Sequence, residues 1–201
     1  MFYKYDDGHG LPHDPLKAIV APRPIGWISS RSKDGKFNLA PFSFFNMIST
    51  KPCLIMFCSE GYKDSVAFVE ETGEFAANLV SSNLAVAMNA TSVNAPRGVS
   101  EFEYSGLTPA DCTLIAAPRV AEAYATLECV VTEIRQPRDR HGNPVTAIMV
   151  VGEVVGVHIS DHILTDGLVD IAKSRPVSRL GYMDFATTSE TYQMFRPKWE
   201  A

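Results

Sequence analysis

Apolar positions along the chain fall into short runs broken by turn residues, and the runs follow the period of strands more often than that of helices. Ile25 to Ser32 is apolar and β-branched, turns at Asp34 and Gly35 and resumes at Phe37, as two strands joined by a short connection would. Ser43 to Ser49, Leu54 to Cys58, Phe75 to Val80, Val120 to Gln136 and Val145 to Ile159 predict further strands. The last two flank Arg138 to Pro144, a segment rich in turn residues, and so predict an antiparallel hairpin. Helical patterns are fewer: Asp64 is expected to cap a helix ending near Thr72 with Gly73 as its stop, and Ser82 to cap another through Leu84, Ala87, Met88 and Thr91. Strands and helices do not alternate strictly. The predicted architecture is therefore mainly β, an antiparallel barrel with a few peripheral helices, rather than a doubly wound parallel sheet.

Composition narrows the function classes. A chain of 201 residues can bury a core as one domain, and its net charge of -5 lacks the basic footprint of a nucleic-acid binder. No apolar stretch approaches the roughly 20 residues of a membrane span, and Met1 to Asp14 is not a signal segment, so the expected location is cytoplasmic. Cys53, Cys58, Cys112 and Cys129 stand singly, which predicts buried reduced thiols and no metal site. His9 and His13 have helical spacing among acidic residues, but Pro12 disfavours the helix that would bring them together. The glycine-rich dinucleotide and triphosphate cradles are absent, so a nucleotide-like cofactor must be held another way.

Three segments carry candidate chemistry. Ser59 to Ser65 lies between a strand and a helix start, where small hydroxyls, Lys63 and free helix N–H groups suit a phosphate monoester. The same residues also read as an ordinary solvent-exposed helix cap. Arg23 to Ser30 combines Pro24, Gly26 and two serines, and Asn38 to Asn46 sets amides and hydroxyls among phenylalanines, a composition that could edge a flat heteroaromatic ring. Core packing explains the phenylalanines equally well. His158, at the end of the last long strand, is either a polar contact to such a ring or a strand-end histidine bonded to a neighbour.

Taken in order, Ala21 to Ser30, Asn38 to Asn46, Lys63 to Ser65, Thr72 to Phe75 with Asn78 and Leu79, Gly152 to His158 and Arg179 to Gly181 resemble the flavin reductase-like, FMN-binding split-barrel family. The resemblance implies a split β-barrel domain over residues 16–186, between an N-terminal extension (1–15) and a C-terminal tail (187–201). It further implies a homodimer with FMN at the subunit interface, NAD(P)H as co-substrate, and a partner oxygenase or other electron acceptor. Carried over by motif, Ser29, Ser30, Ser59, Lys63, Asp64 and Ser65 would lie near the FMN phosphate and ribityl chain. Asn38, Ala40, Pro41, Ser43, Phe44, Phe45 and Asn46 would line the ring, with Arg23, Arg179 and Tyr182 also in contact with the cofactor and His158 as the catalytic residue. Two departures from the family pattern are Cys53 after Pro52 and Tyr182 after Gly181. The alternative within the same resemblance is an FMN-binding electron carrier without NAD(P)H reductase activity; a third, non-flavin reading is an interaction or heme-binding module.

Overall fold

A computed structural model describes residues 1–199. After a short helix α1 (Leu16–Ile19), the chain forms β1 (Arg23–Pro24), β2 (Gly26–Arg31), β3 (Phe37–Phe42), β4 (Phe45–Thr50) and β5 (Cys53–Glu60). Helix α2 (Asp64–Thr72), β6 (Glu74–Asn78), α3 (Ala85–Ala90) and α4 (Glu101–Ser105) follow. Two short strands, β7 (Pro109–Ala110) and β8 (Arg119–Val120), precede the long hairpin β9 (Ala125–Arg135) and β10 (Ala147–Ile159). The C-terminal part holds β11 (Leu164–Thr165), β12 (Leu168–Val169), α5 (Ile171–Ser174), β13 (Val177–Arg179) and β14 (Phe185–Thr187).

Seven strands make one curled sheet in the order β3-β2-β6-β9-β10-β5-β4, every pair antiparallel, and β1, β13 and β14 form a small second sheet. This is the expected mainly β half-barrel with peripheral helices.

Strand β2 shows how the sequence produces it. Successive side chains of a strand point to opposite faces, and here Trp27 and Ile28 are both fully buried, so each face has its own core. Trp27 packs with Leu39, Val80, Met88, Phe102 and Val120 under the helices. Ile28 joins Phe57, Val69, Phe75, Cys129 and Val150 inside the curl of the sheet. Burial of each such large side chain is worth about 1.5–3 kcal/mol, and a helix on one side with the sheet's own curl on the other shields both faces.

Three expectations change in detail, the first being that Ser82 caps no helix: it opens a single 3-10 turn (Ser82–Leu84), and Leu84 is the N-cap of α3. The run from Val120 is interrupted, because Val120 pairs with Pro109 in a separate two-stranded sheet and a turn at Ala121–Ala123 precedes β9. Asp64 does not cap α2: Lys63 is the N-cap and no side chain caps the helix, while Asp64 turns to Arg97. Gly73 ends α2 as expected, at φ 73°, a conformation that glycine adopts without steric cost.

Candidate functional site

Two cavities of about 250 Å³ each lie side by side, and Pro41 and Ser92 line both. Strand β3 forms one wall because its residues Asn38 to Phe42 run past the start of α2. The opposite wall is the segment that leaves α3, held in place by the Trp27 indole N–H, which donates to Thr91 Oγ1 at 2.9 Å. Thr91 in turn donates to the carbonyl of Met88 at 2.7 Å.

The first cavity is lined by Lys17, Arg23, Arg179, Tyr182, Phe185 and Ser43, among others, and by no carboxylate. Arg23 is only 7% exposed. Its guanidinium donates to the carbonyls of Lys17 (2.5 Å), Val20 and Leu180 (2.8 Å), and so ties α1 to the loop after β13. Its Nε is buried without a partner. The Arg179 guanidinium stacks 4.4 Å from the Phe185 ring and donates to the Tyr182 carbonyl at 2.6 Å. Lys17 reaches Glu60 at 3.9 Å and lies over Phe44. Three cations on one small cavity favour a negative charge inside it.

The second cavity contains Asn38, Ala40, Lys63, Asp64, Ser65 and Glu101. Asn38 Nδ2 donates to Ser65 Oγ at 2.8 Å, which leaves the hydroxyl hydrogen of Ser65 free to donate elsewhere. The uncapped start of α2 adds unpaired N–H groups and the positive end of its dipole. The two carboxylates here are engaged by protein donors: Asp64 accepts from Arg97 Nε at 2.9 Å, and Glu101 accepts from the Leu39 N–H at 3.0 Å. Burial, with a smaller push from Asp64, raises the Glu101 pKa above the ordinary carboxylate value.

The structure thus brings together Arg23, Asn38, Ala40, Pro41, Ser43, Lys63, Asp64, Ser65, Arg179 and Tyr182 from the residues singled out in the sequence. It does not bring the others. Ser29 is buried in a network, donating to the Pro118 carbonyl at 2.5 Å and accepting from Asn78 at 3.0 Å. Ser30 Oγ is buried and unpartnered, and Ser59 Oγ donates to the Gly61 carbonyl at 2.8 Å. Phe45 lies against Gly26 and lines an apolar cavity with Leu79 and Leu127. Phe44 and Asn46 are exposed, Asn46 accepting from the Met47 N–H.

His158 lines a different cavity with Arg119, Tyr124 and Ser160, and its Nε2 is hydrogen-bonded to Glu128. Gly156 offers no approach for a flat ring, because a Cβ there would already lie 3.2 Å from the Glu128 carboxyl carbon. Burial works against the Glu128 charge, but the N–H groups of Thr113 and Leu114 and the His158 ring together hold its pKa below the ordinary value. Burial, helped by Glu128, pushes the nearby Cys112 thiol up to about 12.

Sequence reasoning missed Lys17, Asn89, Ser92, Asn94 and Glu101. Asn89 to Asn94 does carry a signal, a run of amides and hydroxyls just past a helix, but only the Trp27 bond shows which way it faces.

Residues 20–177 match the family described as flavin reductase like domain. An uncharacterized protein of Aquifex aeolicus is 38% identical over 184 residues, covering 89% of this chain and 90% of its own length. Among solved structures, the chain is similar to nitrilotriacetate monooxygenase component B from Bacillus cereus, with 28% identity and a TM-score of 0.83 over 93% of this chain and 100% of that one. It is also similar to 2-nitrobenzoate 2-nitroreductase of Pseudomonas fluorescens, with 26% identity and a TM-score of 0.80 over 90% and 88% of the two chains.

Proposed function

The chain belongs to the flavin reductase-like domain family, and on that premise we propose that it binds FMN across the two adjoining cavities and works as an oxidoreductase of the NAD(P)H:flavin reductase type. The observation that carries this reading is the adjacency of an anion-suited pocket to a cationic, aromatic-edged one, with Pro41 and Ser92 as the common wall. When bound by the residues lining the two cavities, FMN would supply the redox chemistry, taking up reducing equivalents from a nicotinamide.

The donor set fits a phosphate at the α2 end. Lys63 contributes the charge, Ser65 a free hydroxyl hydrogen and the helix its unpaired N–H groups. Asp64 opposes it weakly because Arg97 pairs with its charge, and Glu101 gives one oxygen to the Leu39 N–H. In the other cavity Lys17, Arg23 and Arg179 hold a positive potential against whatever negative charge develops there. Tyr182 and Phe185 present aromatic surface beside it, so an apolar ring can be covered while its polar rim stays near the guanidinium groups.

A homodimer belongs to this reading. The edge strand β4 exposes Met47 and Ile48, and β10 exposes Val155, Val157 and Ile159, apolar surface that a two-fold contact would cover. Electrons would pass to a partner oxygenase or another acceptor, a role supported by the likeness to a monooxygenase component. No helix among the described residues is long and apolar enough to cross a membrane.

Anaerobic stopped-flow absorbance of the FMN-loaded protein tests the proposal. Bleaching of the flavin band at a saturable rate with NADH or NADPH is the expected result. A protein that takes up no FMN overturns the whole reading, and one that binds FMN but stays oxidised with both nucleotides is an electron carrier instead.

A further inference from the structure

Outside the two cavities, Cys112 from the β7–β8 connection, Glu128 from β9 and His158 from β10 place one ligand atom each within 4.8 Å of the others. The backbone explains the convergence. Register sets Glu128 opposite Gly156, and the register shift between Val154 and Gly156 locates a bulge just before His158. The lack of a side chain at Gly156 gives the carboxyl its room. Thr113 and Leu114 then donate to Glu128 at 2.7 Å each, which draws the Cys112 loop onto the hairpin.

Glu128 is 1% exposed, yet none of its hydrogen-bond partners is a lysine or arginine. Each oxygen accepts one backbone N–H; Oε1 also faces the His158 ring, and Oε2 keeps a further lone pair. A buried carboxylate is costly unless it is paired, and the side chains beside this one are an imidazole within hydrogen-bond reach and a thiol.

The geometry points to a divalent metal site of the zinc type, formed by Cys112 Sγ, Glu128 Oε1 and His158 Nε2, with a fourth position open to solvent. Mixed sulfur, nitrogen and oxygen donors select a borderline ion such as Zn²⁺ over Mg²⁺ or Ca²⁺, which take oxygen alone. Zinc bonds of about 2.0–2.3 Å put tetrahedral ligand atoms roughly 3.5 Å apart. The atoms reach that spacing by side-chain rotation: the thiol closes in, and the hydrogen-bonded His158 and Glu128 move apart as the ion takes the place of the proton between them. That proton and the thiol proton leave to solvent. The His158 side chain is 30% exposed and faces a cavity of about 590 Å³, which gives the ion access and a water room to complete the shell.

The test uses the full chain, stripped of metal with a chelator and titrated with Co²⁺ without added flavin, so its outcome is independent of the flavin reading. One equivalent should produce a thiolate-to-cobalt charge-transfer band in the near ultraviolet and the visible bands of four-coordinate cobalt, both bleached by Zn²⁺. Cys112→Ser should abolish the charge-transfer band, His158→Gln should weaken binding by about 100-fold or more, and Cys58→Ser should change neither. Absence of the band at excess Co²⁺ in the wild-type protein overturns the site. So does a band of full strength in folded Cys112→Ser, or, should that variant not fold, full-affinity binding by His158→Gln.

Discussion

Replacing Asn78 by aspartate changes two hydrogens for a charge and almost nothing in shape, and the structure says what that costs. Asn78 is 2% exposed and uses its whole amide. Its Nδ2 donates to the Trp27 carbonyl and to Ser29 Oγ, both at 3.0 Å, and its Oδ1 accepts from the Val120 N–H and Thr126 Oγ1, both at 2.9 Å. A carboxylate keeps the two acceptor bonds and loses both donor bonds. Ser29 retains its bond to Pro118, but the Trp27 carbonyl is left facing an anion. An orphaned buried acceptor costs about 1–3 kcal/mol and the lost Ser29 bond about 1 kcal/mol, so N78D should lose about 2–4 kcal/mol near neutral pH. At a urea m-value of about 2 kcal/mol/M this lowers the midpoint by roughly 1–2 M. Burial raises the pKa of the introduced carboxyl, so protonation at lower pH restores one donor to Trp27 and returns part of the loss. Equilibrium urea unfolding of wild type and variant at pH 7.5 and 5.5 measures both effects. A loss below about 1 kcal/mol at pH 7.5, or an equal loss at both pH values, would refute the hydrogen-bond account and leave Asn78 as packing.

Lys63→Ala should weaken FMN by about tenfold, the low end of a charge-assisted bond because Lys63 is exposed, while riboflavin, which has no phosphate, binds as before; equal losses in a fluorescence titration would remove Lys63 from the phosphate site. For Glu101, burial raises the folded pKa above the unfolded one. Its favourable contribution is therefore full below the ordinary carboxylate value and is lost as pH rises through the folded pKa. Glu101→Gln should accordingly unfold with a smaller stability decline between about pH 4.5 and 7 than wild type does, and superimposable slopes in chemical denaturation would contradict the assignment.

Much of this fold is legible locally because strands and the α2 helix write their period into the sequence. The hairpin around Arg138 and the stop at Gly73 follow from turn chemistry alone. What is not legible depends on partners distant in the chain. Asn78 stands in a family-like motif, yet its amide serves the sheet, because β2 and β9 flank it and Val120 points its N–H inward. Ser29 follows the same logic: its position on β2 suggests a ligand, and the Pro118 carbonyl claims it. Strand alternation puts Gly156 and His158 on one face, but the same face receives Glu128 from β9, and only the register shows that the space is taken. The segment from Asn89 to Asn94 has the composition of a binding loop and no periodicity to say where it lies.

The indole that holds this segment also makes the molecule a spectroscopic instrument. The chain has two tryptophans, and their surroundings could hardly differ more: Trp27 has no exposed surface, whereas Trp199 is 92% exposed. Emission should separate into a blue component that iodide cannot reach and a red one that it quenches freely. Because the Trp27 N–H ends on Thr91, and Thr91 lines the cavity that contains Lys63, the blue component is wired to that cavity's wall. Entry of any ligand there, coloured or colourless, can be followed in the light of one residue while the other serves as an internal reference.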